Sequence, residues 1–288
     1  MAGVIDSIVG TYDYLMNDLA DIRTKDLPLM SSPSLIVLIV VAYLKFCTNY
    51  GPRFMKDRPA YTLKYPIMLY NIFQVVLSIV LVKAGIRYLF SKEYNFICDP
   101  VTDSMDDRIV ATANHTWLYF FAKITELLDT IFFVFRKKSR QISTLHLFHH
   151  SIVVAFGWFV TKYFPVGPIV LVGTLNSFVH VIMYSYYFVA GLGPQYQKYL
   201  WWKRYLTLIQ LIQFVIVIFH NAMALYNSHC NYPKGVHLFI IANTGLIFYM
   251  FSQFYYETYI KAKPKKNDDL KTKIQANPRQ GKRLSVGQ

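Results

Sequence analysis

The chain has 288 residues, 54% of them hydrophobic and only 16% charged, with 23 tyrosines and 22 phenylalanines. An ordinary soluble domain carries about a quarter of its residues as charges, so this composition excludes one and indicates a polytopic membrane protein. The formal charge of +14 is largely accounted for by topology. What is left over suits anionic lipid or phosphate, and nucleic acid is excluded as a partner.

A hydrocarbon core of about 30 Å takes about 20 apolar residues per crossing helix. Residues 1–32 form an acidic leading segment with Asp6, Asp13, Asp18 and Asp21. Apolar runs then recur from Pro33 to Tyr50, Pro66 to Phe90, Thr116 to Phe135, Leu145 to Tyr163, Gly167 to Val189, Tyr205 to Tyr226 and Val236 to Tyr259. The expectation is a seven-helix transmembrane bundle over residues 33–260, or six where the polar residues within the runs are penalised. The first run starts too late for a signal peptide and lacks a small-residue cleavage site, so it is expected to stay. Residues 261–288 are polar and basic, with Pro264 and Pro278, and read as a disordered tail. No internal repeat occurs, and the short loops favour one helical domain.

With the N-terminus lumenal, four basic connections become cytosolic: Arg53 to Lys64, Arg136 to Arg140, Lys198 to Arg204, and the C-terminal tail. That arrangement satisfies the positive-inside rule, and the acids Asp99, Asp103, Asp106 and Asp107 fall on the opposite side. It also puts Cys98 and Cys230 in two lumenal loops and leaves Cys47 alone at the cytosolic end of the first span. A Cys98–Cys230 disulfide is then permitted, provided the two thiols are in reach. Asn114-His115-Thr116 has the form of a glycosylation sequon. Lying so close to the third span, it is expected to be unmodified.

His146-Leu147-Phe148-His149-His150 puts three imidazoles at i, i+3 and i+4 on one face of the fourth span. His149 lies roughly 9 Å along its helix from the cytosolic end and His180, on the fifth span, roughly 13 Å, so the two are at similar depth. Lys123, Glu126, Asp129 and Thr130 follow helical spacing on the third span. Asn176 precedes His180 by one turn, and Met183, Tyr184, Tyr186 and Tyr187 follow it. Thr207, Gln210 and Gln213 recur on the sixth span. Ionisable groups at membrane depth are costly unless paired or facing a wet cavity. Four spans delivering them at one depth imply a polar chamber inside the bundle, open to the cytosol. Plainer readings stand beside this one: a structural Lys123–Glu126 ion pair, Thr207 and the glutamines as interhelical hydrogen bonds, and the tyrosines as packing. Three adjacent buried imidazoles would each need a separate partner, which makes packing a poor account of them. His115, His220, His229 and His237 fall at or beyond the lumenal ends and read as ordinary.

Two chemistries can use such a cluster. The box occurs as iron ligands in membrane desaturases and hydroxylases, but those need several boxes on one side of the membrane. Here four of the eight histidines lie on the wrong side. A single metal held by His146, His149, His150 and His180, or by Glu126 or Asp129, stays conceivable. The alternative is acid–base and nucleophilic catalysis, in which one imidazole attacks a thioester and a neighbour accepts its proton. A seven-helix transporter or receptor is a third class, disfavoured by the lack of repeats.

Four ordered blocks carry a resemblance: Lys123-x-x-Glu126-x-x-Asp129-Thr130, the histidine box, the stretch from Asn176 through His180 and Tyr184 to Tyr187, and Thr207/Gln210 following Trp201-Trp202-Lys203. In these the chain resembles the very-long-chain fatty acid elongases, the condensing enzymes of microsomal fatty acid elongation. The resemblance implies condensation of acyl-CoA with malonyl-CoA to a 3-oxoacyl-CoA, with loss of carbon dioxide, in the endoplasmic reticulum membrane and without NADPH or metal. It implies the reductases and dehydratase of the cycle as partners, while a homo-oligomer is neither implied nor excluded. Combined with the residue reading, it makes His149 the acyl acceptor, with His146, His150 or His180 as proton relay and Asn176 or an imidazole N–H stabilising the enolate. Glu126 and Asp129 would orient the histidines. Lys123, Tyr184, Tyr187, Thr207 and Gln210 are candidate substrate contacts, and Arg136, Lys137, Lys138, Lys203 and Arg204 candidates for CoA phosphates. An apolar acyl tunnel toward the lumenal ends would set chain length, and the stretch from Lys198 to Leu208 is similar to the branch acting on saturated and monounsaturated chains.

Overall fold

The computed structural model describes residues 2–92 and 94–261, and among these every regular element is helical. Helix α1 is Ala2–Asp13. Helix α2, Pro33–Lys45, continues through a π turn at Phe46–Tyr50 into α3, Gly51–Met55. The rest are α4 (Lys64–Leu89), α5 (Asp107–Thr125), α6 (Leu127–Phe135), α7 (Thr144–Tyr163), α8 (Ile169–Leu192), α9 (Lys203–Tyr226) and α10 (Lys234–Tyr255). Apart from Lys261, the expected basic tail lies outside the described residues.

Six helical stretches are long and apolar enough to cross a membrane: Pro33–Met55, Lys64–Leu89, Thr144–Tyr163, Ile169–Leu192, Lys203–Tyr226 and Lys234–Ile260. The third expected span is not among them. It starts at Asp107, earlier than the apolar run beginning at Thr116, because the Asp106 side chain caps it by accepting the Arg108 N–H at 2.9 Å. It also carries Lys123, Glu126 and Asp129. The sequon Asn114-His115-Thr116 therefore lies inside α5 rather than in the preceding loop.

Between α5 and α6 the helix is interrupted at Glu126. Thr125 Oγ1 donates back to the Ala122 carbonyl at 2.7 Å, a bond that bends helices, and Gln74 Nε2 reaches the same hydroxyl at 3.0 Å. The disturbance sits among the charged residues it helps to position.

Helices α4, α5, α7, α10, α9 and α8 pack each on the next and the last on the first, closing a ring, with α2 outside against α7. A Cβ at Gly85 would overlap Thr174, so glycine is what lets α4 lie tightly on α8. Leu69, Phe73, Val76 and Val80 on α4, and Ile212, Val215, Ile216 and Phe219 on α9, are exposed on the outer surface. Apolar area of this extent is suited to lipid.

The end of the ring opposite the histidine box is tied down by polar contacts. Cys98 and Cys230 form a disulfide with Cα atoms 5.4 Å apart, joining the α4–α5 and α9–α10 connections. Tyr88 OH donates to Asp99 Oδ2 at 2.7 Å, and His220 Nε2 lies 3.0 Å from the Phe96 carbonyl. His237 Nδ1 meets Asn221 Oδ1 at 2.8 Å. Gly167 has a φ of 113°, and the Tyr232 ring stands 2.8 Å from where its Cβ would be, so both backbone and space require glycine. The leading segment crosses this end. Asp21 N–H donates to the Lys162 carbonyl at 2.8 Å and Thr24 Oγ1 to that of Thr161 at 2.6 Å. The indoles of Trp117 and Trp158 donate to the carbonyls of Pro28 and Leu29, each at 2.9 Å.

The disulfide closes a loop spanning a sequence separation of 132. Replacing Cys98 by Ser is expected to lower stability by about 2–4 kcal/mol, read as a fall in the thermal midpoint of the helical circular dichroism signal in detergent. An unchanged midpoint would show that the crosslink constrains nothing.

Candidate active site

The interruption at Glu126 leaves Lys123 and Glu126 facing the same way. Lys123 Nζ donates to Glu126 Oε1 at 2.8 Å and to Asn176 Oδ1 at 2.6 Å, with its side chain only 3% exposed. His180 Nδ1 lies 3.0 Å from the same Glu126 oxygen. Tyr119 OH donates to Asn176 Oδ1 at 3.1 Å, and its ring lies 4.7 Å beneath the ammonium. Five side chains from α5, the interruption after it and α8 thus satisfy one another away from water.

Donor chemistry fixes two orientations. An ammonium has no lone pair, so the Asn176 atom facing Lys123 must be the oxygen, which leaves Nδ2 as the donor available on the other side. A carboxylate only accepts, so His180 Nδ1 carries the proton shared with Glu126 and a neutral ring keeps its lone pair on Nε2. Glu126 Oε2 has no hydrogen-bond partner.

The box opens α7. Ser143 caps the helix by accepting the His146 N–H at 3.2 Å. His146 Nε2 lies 2.9 Å from Thr130 Oγ1, which lies 2.8 Å from Tyr43 OH, so α2, α6 and α7 meet at one hydroxyl. The rings of His146 and His150 are 4.3 Å apart and those of His149 and His150 5.5 Å. Nδ1 of His149 and of His150 is buried without a partner. Three imidazoles therefore converge, and among the described residues only His146 of the three is hydrogen-bonded to another side chain.

His149 and Asn176 line an internal cavity with about 730 Å³ of empty space, its open mouth included. Thr116 and Tyr119 come from α5, Phe156 and Val160 from α7, Val172 from α8, Phe214 and Val217 from α9, and Ile240 and Ile247 from α10. The wall is mainly apolar, with Gln213, Asn243 and Thr244 as polar points.

Several expected residues stand elsewhere. Asp129 accepts from Tyr184 OH at 2.6 Å and not from a histidine, so the expectation that it orients an imidazole is corrected. Its position three residues past Glu126 places it on the α4-facing side, where Tyr70, 3.5 Å from Tyr184 OH, continues the chain of hydroxyls. Tyr187 packs its ring on Tyr184 at 5.9 Å. Gln210 Nε2 meets Met183 Sδ at 3.9 Å, while Thr207 is buried, and neither lines the cavity. Lys123 is occupied by the buried cluster. Arg136, Lys137, Lys138, Lys203 and Arg204 are exposed at the ends of α6 and α9. Lys137 Nζ donates to the Lys56 carbonyl at 3.1 Å and Arg204 to Tyr205 OH at 2.8 Å. Among the described residues no three His, Cys, Asp or Glu side chains are grouped to hold a metal ion.

Tyr119, Asn243 and Thr244 escaped the sequence reading. Tyr119 precedes Lys123 by four residues and so shares its face, and Asn243-Thr244 interrupts an apolar helix; both signals were legible.

Over the described residues these features define an all-helical membrane protein with a cluster of histidines buried in its helix ring. Residues 28–267 match the family model described as ELO: GNS1/SUR4 family, and the chain belongs to that family. It is 40% identical over 263 residues to very long chain fatty acid elongase 7 of Drosophila melanogaster, covering 91% of this chain and 80% of that one. To very long chain fatty acid elongase 7 of Rattus norvegicus it is 40% identical over 267 residues, covering 91% and 95%. To very long chain fatty acid elongase 1 of Homo sapiens it is 39% identical over 260 residues, covering 90% and 93%.

Breaking a buried ion pair from one side leaves an uncompensated charge, at a cost of about 3–5 kcal/mol. Lys123→Met and Glu126→Gln are each expected to destabilise to that extent. The double substitution should cost clearly less than their sum in a thermal-unfolding double-mutant cycle. Additive losses would mean the two side chains are not coupled.

Proposed function

We propose that this protein is a very-long-chain fatty acid elongase that condenses a long-chain acyl-CoA with malonyl-CoA, giving a 3-oxoacyl-CoA two carbons longer. The observation that carries the reading is that His149 and Asn176 open onto one largely apolar cavity, with the Lys123–Glu126–His180 cluster bonded to Asn176 behind it. Family membership and the printed names of the relatives support the reaction class.

In this reading the acyl tail occupies the cavity and its thioester carbon meets His149. A nitrogen of His149 forms a bond to that carbon, the carbon–sulfur bond breaks, and CoA leaves as the thiol with the imidazole's proton. Malonyl-CoA then enters and loses carbon dioxide, and the electron pair of the broken carbon–carbon bond becomes an enolate. The Asn176 Nδ2 group, free because its oxygen serves Lys123 and Tyr119, donates to the enolate oxygen. The enolate carbon attacks the acyl-imidazole carbonyl, the carbon–nitrogen bond breaks, and His149 leaves with that electron pair and takes up a proton from water, which restores the neutral ring. His180, whose Nε2 keeps a lone pair, is the favoured relay that takes the His149 proton and passes it to the departing CoA sulfur, and Glu126 acts on it as a positioning residue. Neither NADPH nor a metal enters this step.

The charged stretch α5–α6 serves as the seventh span. Its charges face the ring interior, which supports a crossing that composition alone does not. The cationic positions Arg136, Lys137, Lys138, Lys203 and Arg204 then lie at a cytosolic mouth where CoA phosphates arrive. The protein resides in the endoplasmic reticulum with its N-terminus lumenal and C-terminus cytosolic, and hands its product to the reductases and dehydratase of the cycle. A lumenal Cys98–Cys230 disulfide suits that oxidising compartment.

The test is product formation by purified protein from malonyl-CoA and a panel of long and very long acyl-CoAs, followed by mass spectrometry. The expected result is a 3-oxoacyl-CoA two carbons longer, with His149→Ala lowering the rate by about 10²–10⁴ or more. No product from any acyl-CoA, or full activity of the variant, would overturn the proposal.

A further inference from the structure

Helix α1 presents an apolar stripe that no part of the described chain covers. At 3.6 residues per turn, Val4, Ile5, Ile8, Val9 and Tyr12 fall within about 140° of the helix circumference, and Asp6, Ser7, Thr11 and Asp13 share the remainder. The five stripe residues are between 49% and 65% exposed. Asp6, Ser7, Thr11 and Asp13 are exposed as well, so neither side of α1 packs on the described chain and the apolar stripe has no packing partner there.

Two contacts fix where this helix stands relative to the crossing helices. Tyr12 OH donates to Ser32 Oγ at 3.0 Å, and Ser32 is the cap residue at which α2, one of the six helices suited to crossing a membrane, begins. Just beyond α1, the Leu15 carbonyl accepts from Tyr163 OH at 3.1 Å, and Tyr163 is the last residue of α7, another of those six. The C-terminal end of α1 is thus pinned at the level where two crossing helices meet the membrane boundary.

We propose that α1 is an interfacial helix lying in the leaflet surface at the start of α2, with Val4, Ile5, Ile8, Val9 and Tyr12 sunk into the acyl boundary and its acidic side facing water. Its charge selects the lipid. The helix carries Asp6 and Asp13 and no Lys or Arg, so it is repelled by anionic headgroups and fits a zwitterionic phosphatidylcholine surface. Its consequence is local. The segment leading from α1 to α2 is bonded to α5 and α7 through Trp117, Trp158 and the Thr161 and Lys162 carbonyls. Anchoring α1 in lipid therefore holds that segment over the ends of these two helices.

The experiment is site-directed spin labelling of the full chain, with Ile8→Cys on the stripe and Asp6→Cys on the polar side, reconstituted in phosphatidylcholine vesicles. Cys47 is buried and the other two cysteines are bonded, so the unsubstituted chain serves as the labelling blank. The expected result is that the position-8 label is accessible to molecular oxygen and shielded from a water-soluble nickel chelate, while the position-6 label shows the reverse. Equal access of the chelate to both labels would overturn the proposal in favour of a helix free in water. Shielding of the position-8 label from both reagents would overturn it in favour of a second protein surface on the stripe. Elongation activity is not read in any arm, so the outcome is separate from that of the proposed reaction.

Discussion

A lysine ammonium 3% exposed inside a ring of helices is the constraint around which the rest of this structure is arranged. Left alone, such a charge is several kcal/mol too costly to bury. Glu126 balances it, Asn176 supplies a second acceptor, and His180 shares the carboxylate. Each of these demands has a consequence in the fold. The helix is interrupted at Glu126, α8 must deliver Asn176 and His180 one turn apart, and α4 supplies Gln74 to the disturbed turn.

The same pairing sets the chemistry available. Once Lys123 has claimed the Asn176 oxygen, the amide nitrogen is left as a donor at the cavity wall. Once Glu126 has claimed the His180 Nδ1 proton, Nε2 is left as an acceptor. The box histidines lie under a different constraint, since among the described residues only His146 is hydrogen-bonded to a side chain, that of Thr130. His149 reaches the cavity with its Nδ1 buried and unpaired, which suits the acyl-acceptor role proposed for it. A fully satisfied imidazole would be better packing and a poorer nucleophile.

Much of this was legible in the chain because it depends on helical spacing. Lys123 and Glu126 at i, i+3, Asn176 and His180 at i, i+4, and the box itself declare shared faces without any tertiary information. Cys98 and Cys230 are brought to one end of the ring by the alternation of helix direction alone. What spacing does not give is which face meets which. Asp129 lies near the histidines in sequence pattern, yet Tyr184 from α8 claims it. The start of α5 at Asp107 depends on a side-chain cap and on neighbours at the ring's end, since residues 107–115 lack apolar continuity. The interruption at Glu126 and the polar residues of α5 likewise keep this stretch outside the six helices that length and composition alone assign to a membrane, although α5 packs in the same ring as the others. Thr207 and Gln210 follow the right period but do not line the cavity, while Gln213, three residues on, does.

The central claim is that His149 accepts the acyl group before malonyl-CoA arrives, and mass spectrometry of the intact protein and its peptides after incubation with acyl-CoA alone tests it most directly. The account predicts release of free CoA and an acyl mass on the peptide holding His149, lost again when malonyl-CoA is added. No CoA release and no histidine adduct would contradict it and favour a single ternary complex in which the imidazoles act only as acids and bases.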